Sequence, residues 1–93
     1  MKKSAAEKRH HDRLARMGCL LCDLLDMPQA SRTEVHHIRA GQGMSQRAGH
    51  YLAVPLCGDC HRGPTGVHGD QTLLRIAKTT ELDLLDMTIG RLK

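Results

Sequence analysis

The four cysteines of the chain fall into two pairs with the same spacing. Cys19 and Cys22 form one C-x-x-C motif, Cys57 and Cys60 form another, and 34 residues separate the two. A C-x-x-C turn presents two thiolates to one tetrahedral ion, so two such turns complete a closed structural Zn²⁺ site. The alternatives are plain buried cysteines or a redox dithiol, which would need only one pair in a thioredoxin-like βαβ setting. The matched spacing favours structural zinc.

The histidines supply a second set of candidate ligands. His36 and His37 are adjacent in a β-forming run, so their rings should point to opposite faces of a strand and do different jobs. His61 directly follows the second cysteine pair, and His68 comes seven residues later. We therefore expect that His36, His61 and His68 could converge on one ion. Three histidines that leave coordination positions open are typical of a catalytic metal site.

The N-terminal segment is predicted to form a basic helix. Ser4 and Glu7 match a capping box, which predicts a helix over 5–17. Its charged surface is either simply solvated or an arm that contacts DNA phosphates. His10 and His11, within this helix, are interpreted as ordinary surface or hydrogen-bonded core residues.

Two strands and two C-terminal helices follow. The strands are expected at 35–38 and 51–56, and Pro55 ends the second or confines it to an edge. Thr80 and Asp83 resemble a second capping box. Apolar residues line one face of each helix: Leu73, Leu74, Ile76 and Ala77 in the first, and Leu82, Leu85, Ile89 and Leu92, on one stripe, in the second.

Composition limits the class of protein. A 93-residue chain whose only aromatic residue is Tyr51 has a small core that needs an additional stabilising element. It also lacks the rings of an aromatic-stacking nucleic-acid binder. The net charge of +4 favours an acidic partner such as DNA. Without a long apolar run or a secretory signal, we expect no membrane association and a reducing, cytoplasmic location.

Several spaced motifs together resemble the HNH nuclease family, whose fold is the ββα-metal fold, often with a four-cysteine zinc site. The motifs are the first C-x-x-C pair, EVHHI at 34–38, a glycine-rich segment, and VPLCGDCH at 54–61. More narrowly, GQGM at 41–44 and HRGPTGVHG at 61–69 are similar to the phage recombination-enhancement, RecA-dependent nuclease family. The likeness covers residues 17–93.

The resemblance implies a role for each histidine of the motif. His36 would bind a catalytic Mg²⁺ or another divalent ion, His37 would be the general base, and His61 would be a further ligand. The family's next ligand position holds Thr65 here, so His68 is taken as its substitute. The position of the family's asparagine holds Leu52, and His50 is the nearest polar residue that could brace the segment instead.

The sequence thus predicts an α+β protein: a small zinc-stapled ββα-metal (HNH-like) domain with flanking helices. We expect a basic helix or arm over 1–17 and the nuclease domain over 18–93. Three arginines around the expected cleft could hold DNA phosphates or simply be solvated: Arg39, Arg47 and Arg62. The narrower resemblance suggests DNA in a RecA-type recombinase filament as the substrate. Two alternatives stay open: a non-catalytic zinc-binding DNA adaptor, and a zinc-stabilised protein-interaction module that uses the C-terminal apolar stripe.

Overall fold

A computed structural model describes residues 2–39 and 49–93 as an α+β protein. Its sheet is a pair of antiparallel strands, and helices precede and follow it. In chain order the elements are α1 (Ala5–Met17), α2 (Leu20–Leu24), β1 (Thr33–His37), β2 (Ala53–Cys57), α3 (Gly58–Arg62), α4 (Thr72–Ala77) and α5 (Glu81–Leu92). Among the described residues, no helix is long and apolar enough to cross a bilayer.

Both predicted capping boxes are confirmed. At the start of α1, the Ser4 hydroxyl accepts from the Glu7 amide, and the Glu7 carboxylate accepts from the Ser4 amide. Thr80 and Asp83 make the same reciprocal pair at the start of α5. Each box satisfies two amides that the first helical turn leaves without an intrahelical partner.

The two strands were also predicted, with slightly different bounds. His36 pairs with Val54 and His37 pairs with Ala53, which fixes the register of the sheet. Pro55 lies within β2, and in a two-stranded sheet every strand is an edge, so its missing N–H is tolerated. All of β2 is buried, whereas β1 is only partly covered.

The core forms around β2 and contains both cysteine pairs. Its fully buried side chains include Leu20, Leu21, Leu56 and Leu84, which pack with the four cysteines in one cluster. Helix α1 adds the buried side chain of Leu14. The core is thus almost entirely aliphatic and sulfur-containing.

The apolar stripe of α5 is only partly covered, and Leu85 is its member that packs against the core. Leu82 and Ile89 are 58% and 47% exposed, while Leu84 and Thr88 are buried. Thr88 can be buried because its hydroxyl donates to the carbonyl of Leu84 at 2.8 Å, which satisfies the polar group inside the helix. In α4, Leu74 is buried but Ile76 is 60% exposed, so Ile76 also lies outside the core.

Candidate metal centres

The four cysteine sulfurs come together as one group. Cys19 caps α2, Cys22 lies within it, Cys57 ends β2 and Cys60 lies in α3. The Cys22 Sγ is 3.7 Å from the Cys57 Sγ and 3.8 Å from the Cys60 Sγ. Two thiolates on one tetrahedral zinc, at about 2.3 Å each, lie about 3.8 Å apart. All four cysteines are free, so the group could hold a metal ion and its geometry is compatible with zinc.

The thiols of this group differ in their readiness to ionise. Burial raises the pKa of Cys22 to about 12, and burial also raises the pKa of Cys60. Burial opposes ionisation of Cys57 too, but hydrogen bonds from the Cys60 amide and the Ser31 hydroxyl lower its pKa. Without an ion, the thiols of Cys22 and Cys60 are therefore protonated at neutral pH. Binding of a metal must release their protons.

The structure also brings His36, His61 and His68 together, and we call these residues the first histidine cluster. Each offers a ring nitrogen within 4.8 Å of the others. The ring centroid of His36 lies 5.0 Å from the centroid of His61 and 5.0 Å from the centroid of His68. The centroids of His61 and His68 are 4.7 Å apart. Strand β1, helix α3 and the segment after α3 each supply one ring. The convergence predicted from the spacing is thus present, although the catalytic roles stay predictions.

A tight turn of the backbone after α3 places His68 beside His61. The His68 amide donates to the His61 carbonyl at 2.9 Å, and the Val67 amide donates to the Cys60 carbonyl at 2.8 Å. Gly66 makes this turn possible, since a Cβ there would lie 2.4 Å from the Cys60 carbonyl oxygen. The glycine-rich segment after α3 therefore puts a histidine next to α3 without a further helical turn.

Two carboxylates hold rings of the first histidine cluster. His36 Nε2 lies 2.5 Å from Glu81 Oε2, and His36 Nδ1 is buried with no hydrogen-bond partner among the described residues. His61 Nδ1 lies 2.8 Å from Glu34 Oε1, which leaves Nε2 of that ring for a ligand. Metal-binding histidines commonly use their second nitrogen in this way, and the carboxylate fixes the ring and its tautomer.

Burial and the neighbouring His36 and His61 lower the pKa of His68. Its neutral form, which is the form that binds metals, is therefore favoured at neutral pH. An all-imidazole set suits zinc, nickel or iron better than Mg²⁺, which prefers oxygen ligands.

Sequence reasoning missed both carboxylates. Glu34 stands in the EVHHI motif, two residues before His36, so its position was a usable signal. Glu81 lies 45 residues after His36 and gives no such signal, because only the packing of α5 brings it to β1.

The predicted arginines have different surroundings. Arg62 makes a two-pronged ion pair with Glu34, with donor–acceptor distances of 2.9 and 2.5 Å. Arg39 is exposed at the end of β1, and its amide donates to Glu81 at 3.0 Å. Arg47 lies outside the described residues. The phosphate-binding role of all three stays a prediction.

On the opposite face of β1, His37 lies with His11 and His50, and we call these three the second histidine cluster. His37 Nε2 is 3.1 Å from His50 Nδ1, so the two rings are in hydrogen-bond contact. His11 Nε2 donates to the His50 carbonyl at 2.6 Å. His11 is buried, and sequence reasoning did not place it at the site because α1 has too few apolar residues to show which face packs inward.

A family model described as recombination enhancement, RecA-dependent nuclease matches residues 3–83. That range contains both cysteine pairs and both histidine clusters. No curated protein and no solved structure matches the chain.

Proposed function

The chain belongs to the recombination enhancement, RecA-dependent nuclease family, and from that membership we propose that it is a metal-dependent DNA endonuclease of the HNH type. The family name identifies nuclease activity, implies DNA as the substrate, and links that activity to a recombinase. The HNH chemistry, the ββα-metal fold and the roles of individual residues are our proposal.

The separation of His36 and His37 onto opposite faces of β1 is the observation that supports this chemistry best. His36 joins His61 and His68, and two of these rings are held by carboxylates as metal ligands usually are. His37 is kept out of that cluster, so its ring does not compete for the same ion. We assign the catalytic ion to the first histidine cluster and general-base catalysis to His37.

In this proposal the residues of the chain divide the reaction between them. His37 takes the proton of the attacking water, which is the usual role of a histidine general base. The ion held by the first histidine cluster would polarise the phosphate and stabilise the leaving oxygen. Arg39, Arg47 and Arg62 would hold flanking phosphates. Zinc on the four cysteines would be structural, and the cytoplasm would be the site of action.

Nicking of supercoiled plasmid, measured beside metal content, tests the assignment. His37→Ala should keep its ions but lose about 10²–10⁴-fold in cleavage rate, the usual contribution of a general base. His36→Ala and His61→Ala should lose one ion as well as cleavage, while the zinc on the four cysteines remains. His10→Ala is the matched control, since His10 belongs to neither histidine cluster. Reactions with and without a RecA-type filament on the DNA test the recombinase link.

Two results would contradict the proposal. If His37→Ala nicks as fast as the parent, His37 is not the base. If His37→Ala is the variant that loses the catalytic ion, the two roles are assigned to the wrong faces of β1.

The second candidate function is a non-catalytic zinc-binding DNA adaptor. Thr65 and Leu52 replace two polar residues of the HNH pattern, and Arg62 is already paired with Glu34. An adaptor would bind DNA with an affinity that falls as salt rises, yet it would not nick in any divalent metal. A protein-interaction module would show no salt-dependent DNA binding.

A further inference from the structure

The second histidine cluster has the dimensions of a metal site. Two imidazoles on one tetrahedral zinc, with Zn–N of about 2.0–2.1 Å, have centroids about 5 Å apart and nitrogens about 3.3 Å apart. The centroids of His11, His37 and His50 are separated by 5.4, 5.6 and 5.3 Å. His37 Nε2 and His50 Nδ1, which are within hydrogen-bond distance, are 3.1 Å apart. These separations resemble those in the first histidine cluster.

The burial of these rings points to a ligand as well. His11 and His50 are only 5% and 4% exposed. His50 Nε2 is buried and has no hydrogen-bond partner among the described residues. Because His50 Nδ1 is the nitrogen that lies 3.1 Å from His37, Nε2 would carry the proton of the ring when Nδ1 binds an ion, and the support for the site comes from the burial and spacing of the three rings.

A backbone contact prepares His11 for a ligand role. Its Nε2–H donates to the His50 carbonyl at 2.6 Å, which fixes the tautomer and leaves the lone pair on Nδ1. The Lys3 ammonium lies 3.3 Å from that Nδ1. Lys3 is exposed and precedes α1, so its flexible side chain can be displaced by a metal ion.

We propose that His11, His37 and His50 form an inhibitory site for a transition-metal ion such as Zn²⁺. An ion there would take the lone pair that His37 needs to accept a proton from water. Imidazole donors select zinc, nickel or copper over Mg²⁺, so Mg²⁺ would not inhibit in this way. The inhibitory effect rests on the proposed role of His37 as general base, whereas the site itself does not.

Counting bound zinc tests the site without reference to activity. The full chain and its variants are dialysed to equilibrium against buffered Zn²⁺, and the zinc content per chain is measured, with circular dichroism to verify folding. His11→Gln and His50→Gln should each bind one ion fewer than the parent, while His10→Ala should bind the same number. His11→Gln keeps a donor for the His50 carbonyl, so it is less disruptive than alanine. His61→Gln separately reports the ion of the first histidine cluster.

Plasmid nicking then tests inhibition, beginning at the Zn²⁺ concentration that already fills the first histidine cluster in the binding measurement and rising from there. Each variant is compared with itself, as the ratio of rates with and without the further zinc. The parent and His10→Ala should fall by about 10-fold or more once the site fills, because the base is lost. His11→Gln should resist zinc at the same concentrations.

The proposal is overturned if His11→Gln and His50→Gln bind as many ions as the parent. It is also overturned if zinc inhibits His11→Gln as strongly as the parent. If His11→Gln binds one zinc ion fewer than the parent but the parent does not nick plasmid, the result would support the metal site and contradict the nuclease assignment instead.

Discussion

At the scale of single residues, carboxylates support two rings of the first histidine cluster. Glu34 and Glu81 each accept a hydrogen bond from a ring of the first cluster. In the second cluster, the His11 ring is held by the His50 backbone carbonyl. A carboxylate makes the histidine that it contacts a more basic and therefore stronger ligand. We therefore expect the first cluster to bind its ion more tightly than the second.

Glu81→Gln tests this difference. The variant should bind the ion of the first cluster about 10–100-fold more weakly, because the neutral amide no longer polarises His36. Asp86→Asn is the control, since it removes one negative charge from an exposed position of the same helix. Competition with a chromophoric chelator measures the affinity. If Glu81→Gln and Asp86→Asn bind the ion of the first cluster with equal affinity, Glu81 acts only through its charge and not through its contact with His36, and the prediction is wrong.

Glu34 gives the stability of the protein an acid-dependent component. Hydrogen bonds from Arg62 and His61 lower the pKa of Glu34 from 4.5 to about 2. Because the folded pKa is the lower one, this contribution is complete above pH 4.5 and disappears as the pH falls towards 2. Urea unfolding of the parent and Glu34→Gln should therefore differ most above pH 4.5 and converge at lower pH. A difference in unfolding free energy that stays constant between pH 5 and 2.5 would contradict this. Protonation of the zinc ligands in acid affects both proteins alike, so it does not alter the comparison.

At the scale of elements, the glycine-rich segment after α3 positions one ligand of the first cluster. Gly66→Ala should destabilise the fold by more than about 1 kcal/mol and weaken metal binding, because its Cβ would overlap the Cys60 carbonyl at 2.4 Å. The control is Gly90→Ala in α5, where a Cβ meets nothing within 4 Å. That change should stabilise the helix by about 0.5–1 kcal/mol. Thermal unfolding that ranks the two variants in the opposite order would refute the role given to Gly66.

Local signals predicted α1, both strands and the C-terminal helices, but not the short helices α2 and α3 at the cysteine pairs. The capping boxes and the paired strands depend on neighbouring residues, so they were predictable. The burial of Leu84 and Thr88 in α5 was not predicted, because the apolar residues of the helix allow more than one face and packing against β2 selects this one. Glu81 and His11 join the sites through the same long-range packing. Such contacts leave no spacing pattern in the chain.

At the scale of the whole molecule, the cysteine group joins helices α2 and α3 to the end of β2. The core beside it is aliphatic, and structural zinc sites have apparent binding free energies of about 10–16 kcal/mol. Removal of the ion by a strong chelator at pH 7 should therefore unfold the protein, and added Zn²⁺ should restore it. Far-ultraviolet circular dichroism follows both steps. Retention of the full helical signal after chelation, with the ion shown to be absent, would refute a structural role.

The cysteine group also has a topological consequence. Residues 23–56 lie between its two pairs, so a bound ion closes that stretch of backbone into a ring. A protease cut within the ring would leave two fragments still joined through the metal, and each fragment would carry one C-x-x-C pair. The ion would then do for this chain what a covalent crosslink does for a secreted domain, but reversibly, so that a nicked molecule separates only when the metal is withdrawn.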